Sequence, residues 1–151
     1  MPAKPLMAAL AMTVPTIAAC GGSGASTSSK TAAAAHTRPT AIYRVRLSGH
    51  GATPPGAPQG QGDAVIAFHG ASVLCWRFAH LHGFTGPQSA RIQSRATHHS
   101  LVALAHGSRL RHQGCVSVRT RVAQVITANP SAYDVTIPSP QYPGGAVRAQ
   151  L

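Results

Sequence analysis

Ala41-Ile42-Tyr43-Arg44-Val45-Arg46-Leu47 decides the fold class, because apolar and polar side chains alternate along it with a period of two. Tyr43, Val45 and Leu47 fall on one face, and the two arginines fall on the other. This alternation is typical of an antiparallel strand that packs one face on a core and exposes the other to water. A half-buried strand is therefore predicted over this stretch.

Short strand-like segments recur along the rest of the chain, separated by Gly- and Pro-rich loops such as 48–62. Val122, Val125 and Ile126 repeat at helical spacing, so one helix is predicted over 119–128. Many short strands with little helix favour an all-β sandwich or Greek-key barrel. The predicted strands are Asp63–His69, Ser72–Phe78, Ala90–Ser94, Leu101–Ala105, Ala132–Ile137 and Ala146–Leu151.

The first 19 residues have the features of a secretory leader. Lys4 precedes an uncharged, largely apolar run over 5–19, which is shorter than the roughly 20 residues that span a bilayer core. The run closes with Ile17-Ala18-Ala19-Cys20, which resembles the lipobox of bacterial lipoproteins. The resemblance implies acyl chains on Cys20, and two or more chains would anchor the protein firmly. Ordinary secretion, with Cys20 merely near a cleavage site, remains the alternative.

Three regions follow from this organisation: a signal peptide at 1–19, a linker at 20–40 and one domain at 41–151. The linker is dominated by Gly, Ser, Thr and Ala. This composition buries too little apolar surface to offset chain entropy, so a flexible tether is expected. The remaining residues suit a single domain with one core.

Cysteine usage points to a crosslink in the domain. With Cys20 assigned to lipid, Cys75 and Cys115 remain. An even pair in an exported domain is expected to form a disulfide. Free thiols, or a metal site that uses both, are the alternatives.

The charge is strongly basic, with 13 Lys and Arg against 2 acidic residues. The basic residues are spread singly, and aromatic residues are few, so a platform for nucleic-acid bases is not indicated. The expected partners are the membrane, through the lipid anchor, and anionic envelope polymers or another envelope protein. The alternative is an Arg-rich composition with no specific partner.

The C-terminal region resembles the end of a CHRD domain, a family named for repeats in chordin. The family ends in Asn-Pro, a Tyr-led strand and a Pro-x-Gly-x-Ile-Arg-Gly-Gln-Leu segment, and the resemblance covers essentially Ala41 to Leu151. The residues that carry it are Asn129–Ile137 and Tyr142–Leu151, with weaker similarity at Tyr43–Gly49, Pro54-Pro55, Gly60–Ala67, Cys75–Phe78 and Gly86–Gln93.

The resemblance implies an immunoglobulin-like or Greek-key β-sandwich and no defined activity. The family also carries an Ala-His-Ile-His motif and a later His, which would suit metal or polar-ligand binding. Here Ala90-Arg91-Ile92-Gln93 replaces both imidazoles, and Pro138 replaces the late His. Guanidinium offers no lone pair to a metal, so no cofactor is expected at these positions.

His80-Leu81-His82 is the other histidine pair. If the strand through Trp76 and Phe78 continues, these residues and both His share a face, which would suit a metal. Solvated loop histidines are the simpler interpretation.

Catalysis is not indicated. Two Asp and no Glu leave little scope for paired carboxylates, and no nucleophile elbow or phosphate-binding Gly loop is present. We therefore expect a non-enzymatic, lipid-anchored CHRD-type protein of the bacterial cell envelope, facing the extracytoplasmic side. It would have a binding or structural role, with a metal-binding lipoprotein using His80 and His82 as the alternative.

Overall fold

The computed structural model describes residues 38–50 and 54–151. The predicted leader at 1–19, Cys20 and the linker before residue 38 lie outside the described residues. The described chain forms eight strands, one α-helix and a single 3-10 turn at Pro130–Ala132. The strands are β1 Ala41–Ser48, β2 Gln61–His69, β3 Val73–His82, β4 Ser89–Ser94, β5 Ser100–His106, β6 Gln113–Ser117, β7 Tyr133–Ile137 and β8 Val147–Gln150, and the helix α1 is Thr120–Ala128.

All strand pairings are antiparallel, in the order β5-β4-β7-β8-β1-β2-β3-β6. We call β1, β2, β3 and β6 the first leaf, and β4, β5, β7 and β8 the second leaf. A single residue pair, Ser48 with Arg148, joins β1 to β8. The sheet folds there into a nearly closed sandwich, which confirms the predicted all-β fold with one short helix.

The core lies between the two leaves and follows the predicted alternation. Leu47 on β1, Ile66 on β2 and Ile92 on β4 are fully buried. Each such side chain contributes about 1.5–3 kcal/mol through removal of apolar surface from water. The helix adds Ile126 to the same core, since its apolar residues recur on one side.

Strand β6 was not predicted. It pairs with β3 from Val73↔Ser117 to Arg77↔Gln113. Its sequence, Gln113-Gly114-Cys115-Val116-Ser117, has low strand propensity. Gly114 is required there because a Cβ would lie 2.6 Å from the ring of Trp76. Packing against the tryptophan, rather than local preference, therefore fixes this strand.

Candidate binding surfaces

The predicted disulfide is present between Cys75 and Cys115. The two residues lie directly opposite each other on β3 and β6, with Cα atoms 4.0 Å apart and sulfurs 2.07 Å apart. Both lie on the outer face of the first leaf, because their neighbours Leu74 and Trp76 point into the core. The crosslink therefore ties the edge strand β6 to the leaf without occupying the core.

The strand through Trp76 does continue to His82, but the predicted sharing of one face is wrong. A β-bulge interrupts the pairing with β2, and His80 takes a positive φ of 52°. This extra residue shifts the alternation, so Leu81 packs against the core while His80 and His82 are exposed.

Asp63 is the partner of His80. The His80 Nδ1 and the Asp63 Oδ2 are 2.8 Å apart, at a position where both side chains are largely exposed. Across 38–50 and 54–151, no group of three or more His, Cys, Asp or Glu could hold a metal ion. His82 is not brought into this pair, so the geometry does not assemble the candidate metal site.

Arg91 and Gln93 share the outer face of β4, as their spacing requires. The Arg91 Nε donates to the Gln93 Oε1 over 3.1 Å. Pro138 directly follows the end of β7, the neighbouring strand. The sheet therefore places these three positions on neighbouring strands, where they hold a guanidinium, an amide and a proline.

The outer face of the first leaf brings separated arginines together. Arg44 on β1 and Arg77 on β3 lie directly across from each other, with Val65 of β2 between them. Two strand spacings separate their Cα atoms by about 10 Å. Arg46 lies two residues along β1, and all three arginines are exposed. None of the three makes an ion pair or side-chain hydrogen bond with another described residue.

Apolar side chains continue this surface beyond the arginines. Ile42 is 43% exposed and Val73 is 36% exposed. Ile42 lies across from Ala67, which in turn lies across from Cys75, so the apolar strip leads to the disulfide. We call this surface, from the three arginines to Ile42 and Val73, the basic–apolar face.

The basic–apolar face was not predicted from the sequence, because Arg44 and Arg77 are far apart in the sequence and come together only through β2. The signal that could have found it is the hairpin register. Once β2 is paired with both β1 and β3, Arg44, Arg46 and Arg77 must share the solvent face.

Comparison of the chain with protein-family models, with curated proteins and with solved structures finds no match. No helix among the described residues is long and apolar enough to cross a bilayer.

Proposed function

We propose that this protein is a lipid-anchored, CHRD-type protein of the bacterial cell envelope whose domain binds anionic membrane surface without catalysing a reaction. The anchor is Cys20, and the protein faces the extracytoplasmic side. The observation that carries the binding role is the basic–apolar face, where three arginines that form no ion pair with a described residue border exposed aliphatic side chains. Asp63, which lies across from Arg46, is paired with His80.

The chemistry of this face suits phospholipid head groups. Guanidinium groups form bidentate hydrogen bonds with phosphate. Each Arg near an anionic membrane surface contributes about 1 kcal/mol, so three supply about 3 kcal/mol. This is too weak to hold a soluble protein on a membrane, but it adds to a lipid anchor, as two-signal anchoring requires.

The position of the tether supports the same arrangement. The Thr40 amide donates to the carbonyl oxygen of Phe68 over 2.7 Å, immediately before β1 begins. The linker that follows Cys20 in sequence therefore joins the domain at the strand that carries Arg44 and Arg46. A lipid on Cys20 would keep the domain within the span of this linker, about 25 Å for about 20 flexible residues.

The disulfide supports export, because such crosslinks persist in oxidising compartments. The placement of the two carboxylates supports a role without catalysis. Asp63 and His80 form an exposed pair to which no described hydroxyl is hydrogen-bonded. Asp134 is held by Arg95, whose Nε lies 3.3 Å from its Oδ1.

The anchor is tested by cell fractionation of a Cys20→Ala variant. The parent should partition with membranes and incorporate an alkyne-labelled fatty acid, whereas the variant should do neither. A variant that still incorporates the label, or that still requires detergent for extraction, would contradict lipidation at Cys20.

The face is tested by co-sedimentation of the chain from Gly21 onward with phosphatidylglycerol vesicles. An Arg44→Gln and Arg77→Gln double variant should bind about thirtyfold more weakly, because about 2 kcal/mol is removed. Arg109→Gln with Arg121→Gln is the matched control, since these arginines are also exposed but lie off the face. Equal losses in the two double variants would indicate general charge attraction and sink the proposed face.

A further inference from the structure

The two edge strands of the sheet meet along one side of the sandwich. β5 and β6 lie at opposite ends of the strand order, so each has one edge with which no described strand pairs. They belong to different leaves, and two grooves of about 410 Å³ and 360 Å³ run between them. The grooves are continuous, because both are lined by Ala103 of β5 and Val116 of β6. We call this channel between residues 101–106 and 115–118 the edge groove.

The free edge of β6 presents backbone groups at regular intervals. The Val118 amide donates to the carbonyl oxygen of Ser72, on the β3 side. The backbone groups of successive residues in an antiparallel strand point alternately to its two sides. The Cα separation of 4.0 Å between Cys75 and Cys115 is that of a non-hydrogen-bonded pair and agrees with this alternation. The N–H and C=O groups that point to the free edge therefore belong to Gln113, Cys115 and Ser117, which are all exposed.

The features that usually prevent pairing at a sheet edge are missing from β6. Natural edge strands are commonly protected by proline or by charged side chains, especially lysine. The five residues of β6 include neither a charged residue nor a proline. The disulfide from Cys115 to Cys75 also holds the strand in place, so little freedom is lost when another strand pairs with it. The edge is thus unprotected and preorganised.

The floor of the edge groove is apolar. Leu101, Val116 and Val122 line it, and each is only partly buried where it packs against the core. Every second side chain of a strand points to the same face. A strand paired with β6 would therefore direct alternate side chains into the groove, where apolar ones would remove this floor from water.

Basic side chains stand at both ends of the edge groove. Arg119 lines one end and Arg111 lines the other. Both are exposed, and neither makes an ion pair or side-chain hydrogen bond with another described residue. The stretch 100–122 contains no Asp or Glu. The run 112–118 between the two arginines spans about 20 Å when extended, so carboxylates at that spacing would be complementary in charge.

We propose that the free edge of β6 binds an extended acidic segment of another protein by strand addition. The segment becomes a fifth strand of the first leaf, with apolar side chains in the edge groove and carboxylates beside Arg111 and Arg119. A second copy of this chain would bring a net charge of +11, and like-charge repulsion opposes that occupant. The site uses neither Cys20 nor the arginines of the basic–apolar face, so it does not depend on the proposed membrane binding.

Isothermal titration of the full-length chain in non-ionic detergent tests strand addition, at about 150 mM salt to screen long-range attraction. The probe is acetyl-Glu-Thr-Val-Thr-Val-Thr-Glu-amide, whose carboxylates and valines share one face. It should bind saturably with one-to-one stoichiometry. A version N-methylated at every central amide keeps the charges but loses the donors, and should bind about tenfold more weakly. Lack of saturable binding by the probe, or equal binding by the methylated version, would overturn the proposal.

A proline on the edge itself is the first protein variant. Ser117→Pro removes an N–H that points away from β3, a position where a strand tolerates proline. It should weaken probe binding about tenfold, because the incoming strand loses a backbone donor and meets the ring. Ser117→Ala keeps the amide and is the matched control, which should bind as the parent does. A folded Ser117→Pro variant, checked by circular dichroism, that binds like Ser117→Ala would contradict strand addition at β6.

The charge of the partner is tested by variants that leave β6 intact. Arg111→Gln with Arg119→Gln should weaken probe binding several-fold. Arg44→Gln with Arg46→Gln removes the same charge from β1 and should leave binding unchanged. Equal losses in the two double variants would reduce the effect to overall charge and overturn the site. Dimerisation of the parent, measured by sedimentation and abolished in Ser117→Pro, would assign the edge to a second copy and overturn it as well.

Discussion

Removal of the Cys75–Cys115 disulfide should cost this domain much of its stability. The crosslink joins residues separated by 40 positions. In the chain-entropy model, a closed loop of this length stabilises the folded state by about 4 kcal/mol. Typical domains have 5–15 kcal/mol in total, so this loss is large.

The size of the effect can be assigned to the crosslink because little packing is lost with it. Cys115 is exposed and Cys75 is only half-buried, so serine at both positions leaves no core cavity. Unfolding entropy is about 2.1 cal/mol/K per residue. For roughly 110 residues, a loss of about 4 kcal/mol lowers the melting temperature by about 17 °C.

The assay is urea unfolding of the chain from Gly21 onward, followed by far-ultraviolet circular dichroism. The Cys75→Ser and Cys115→Ser double variant is compared with the parent, with and without dithiothreitol. The reduced parent should match the double variant. An unfolding free energy within about 1 kcal/mol of the oxidised parent would refute the chain-entropy reasoning for this loop.

Further predictions concern the close approaches at Gly114 and Gly83 and the half-buried carboxylate of Asp134. Gly114→Ala should displace the ring of Trp76 and lower the unfolding free energy by about 1–3 kcal/mol. Trp76 is the sole tryptophan, so a fluorescence emission maximum that does not shift would contradict this displacement. Gly83→Ala should lower the unfolding free energy further, because φ is +79° and the added methyl would overlap the carbonyl oxygen of Gln59. Urea unfolding measures this loss, and a variant as stable as the parent would count against the close approach. Burial raises the pKa of Asp134 despite the opposing charges of nearby basic residues, so its folded carboxyl holds a proton that the unfolded chain has already lost. The unfolding free energy of the parent relative to Asp134→Asn should therefore fall as the pH rises from about 3.8 through the folded pKa, and urea titrations across this window that show a rise would reverse the assignment.

Local sequence was sufficient where a strand carries its own alternation. The strand was predicted over Ala41–Leu47 because Tyr43, Val45 and Leu47 meet the core and both arginines meet water. The helix at Thr120–Ala128 was predicted because its apolar spacing and the following Asn-Pro agree. In both elements local preference and tertiary packing demand the same structure.

Sequence was insufficient where structure depends on contacts made by a distant segment. The bulge at His80 arises where Leu81 packs against Gly62 of β2 and Gly83 closely approaches Gln59. No pattern within His80-Leu81-His82 reports these contacts, so strict alternation was assumed. The basic–apolar face was hidden in the same way, because Arg44 and Arg77 belong to separate segments.

The arginine pattern links the stability of the domain to its proposed ligands. Eleven arginines and two aspartates lie between residues 38 and 151, and 11 − 2 gives a net charge of +9 with neutral histidines. Such an excess destabilises a compact state through self-repulsion. The sheet holds neighbouring arginines about 10 Å apart, which is close to the screening length at physiological salt. Repulsion is therefore damped but not removed by small ions. An anion bound to the arginines of the first leaf would remove this repulsion locally. The folded state would then become more stable as the anion concentration rises above its Kd. Anionic vesicles should accordingly raise the melting temperature of the domain through the arginines of the first leaf.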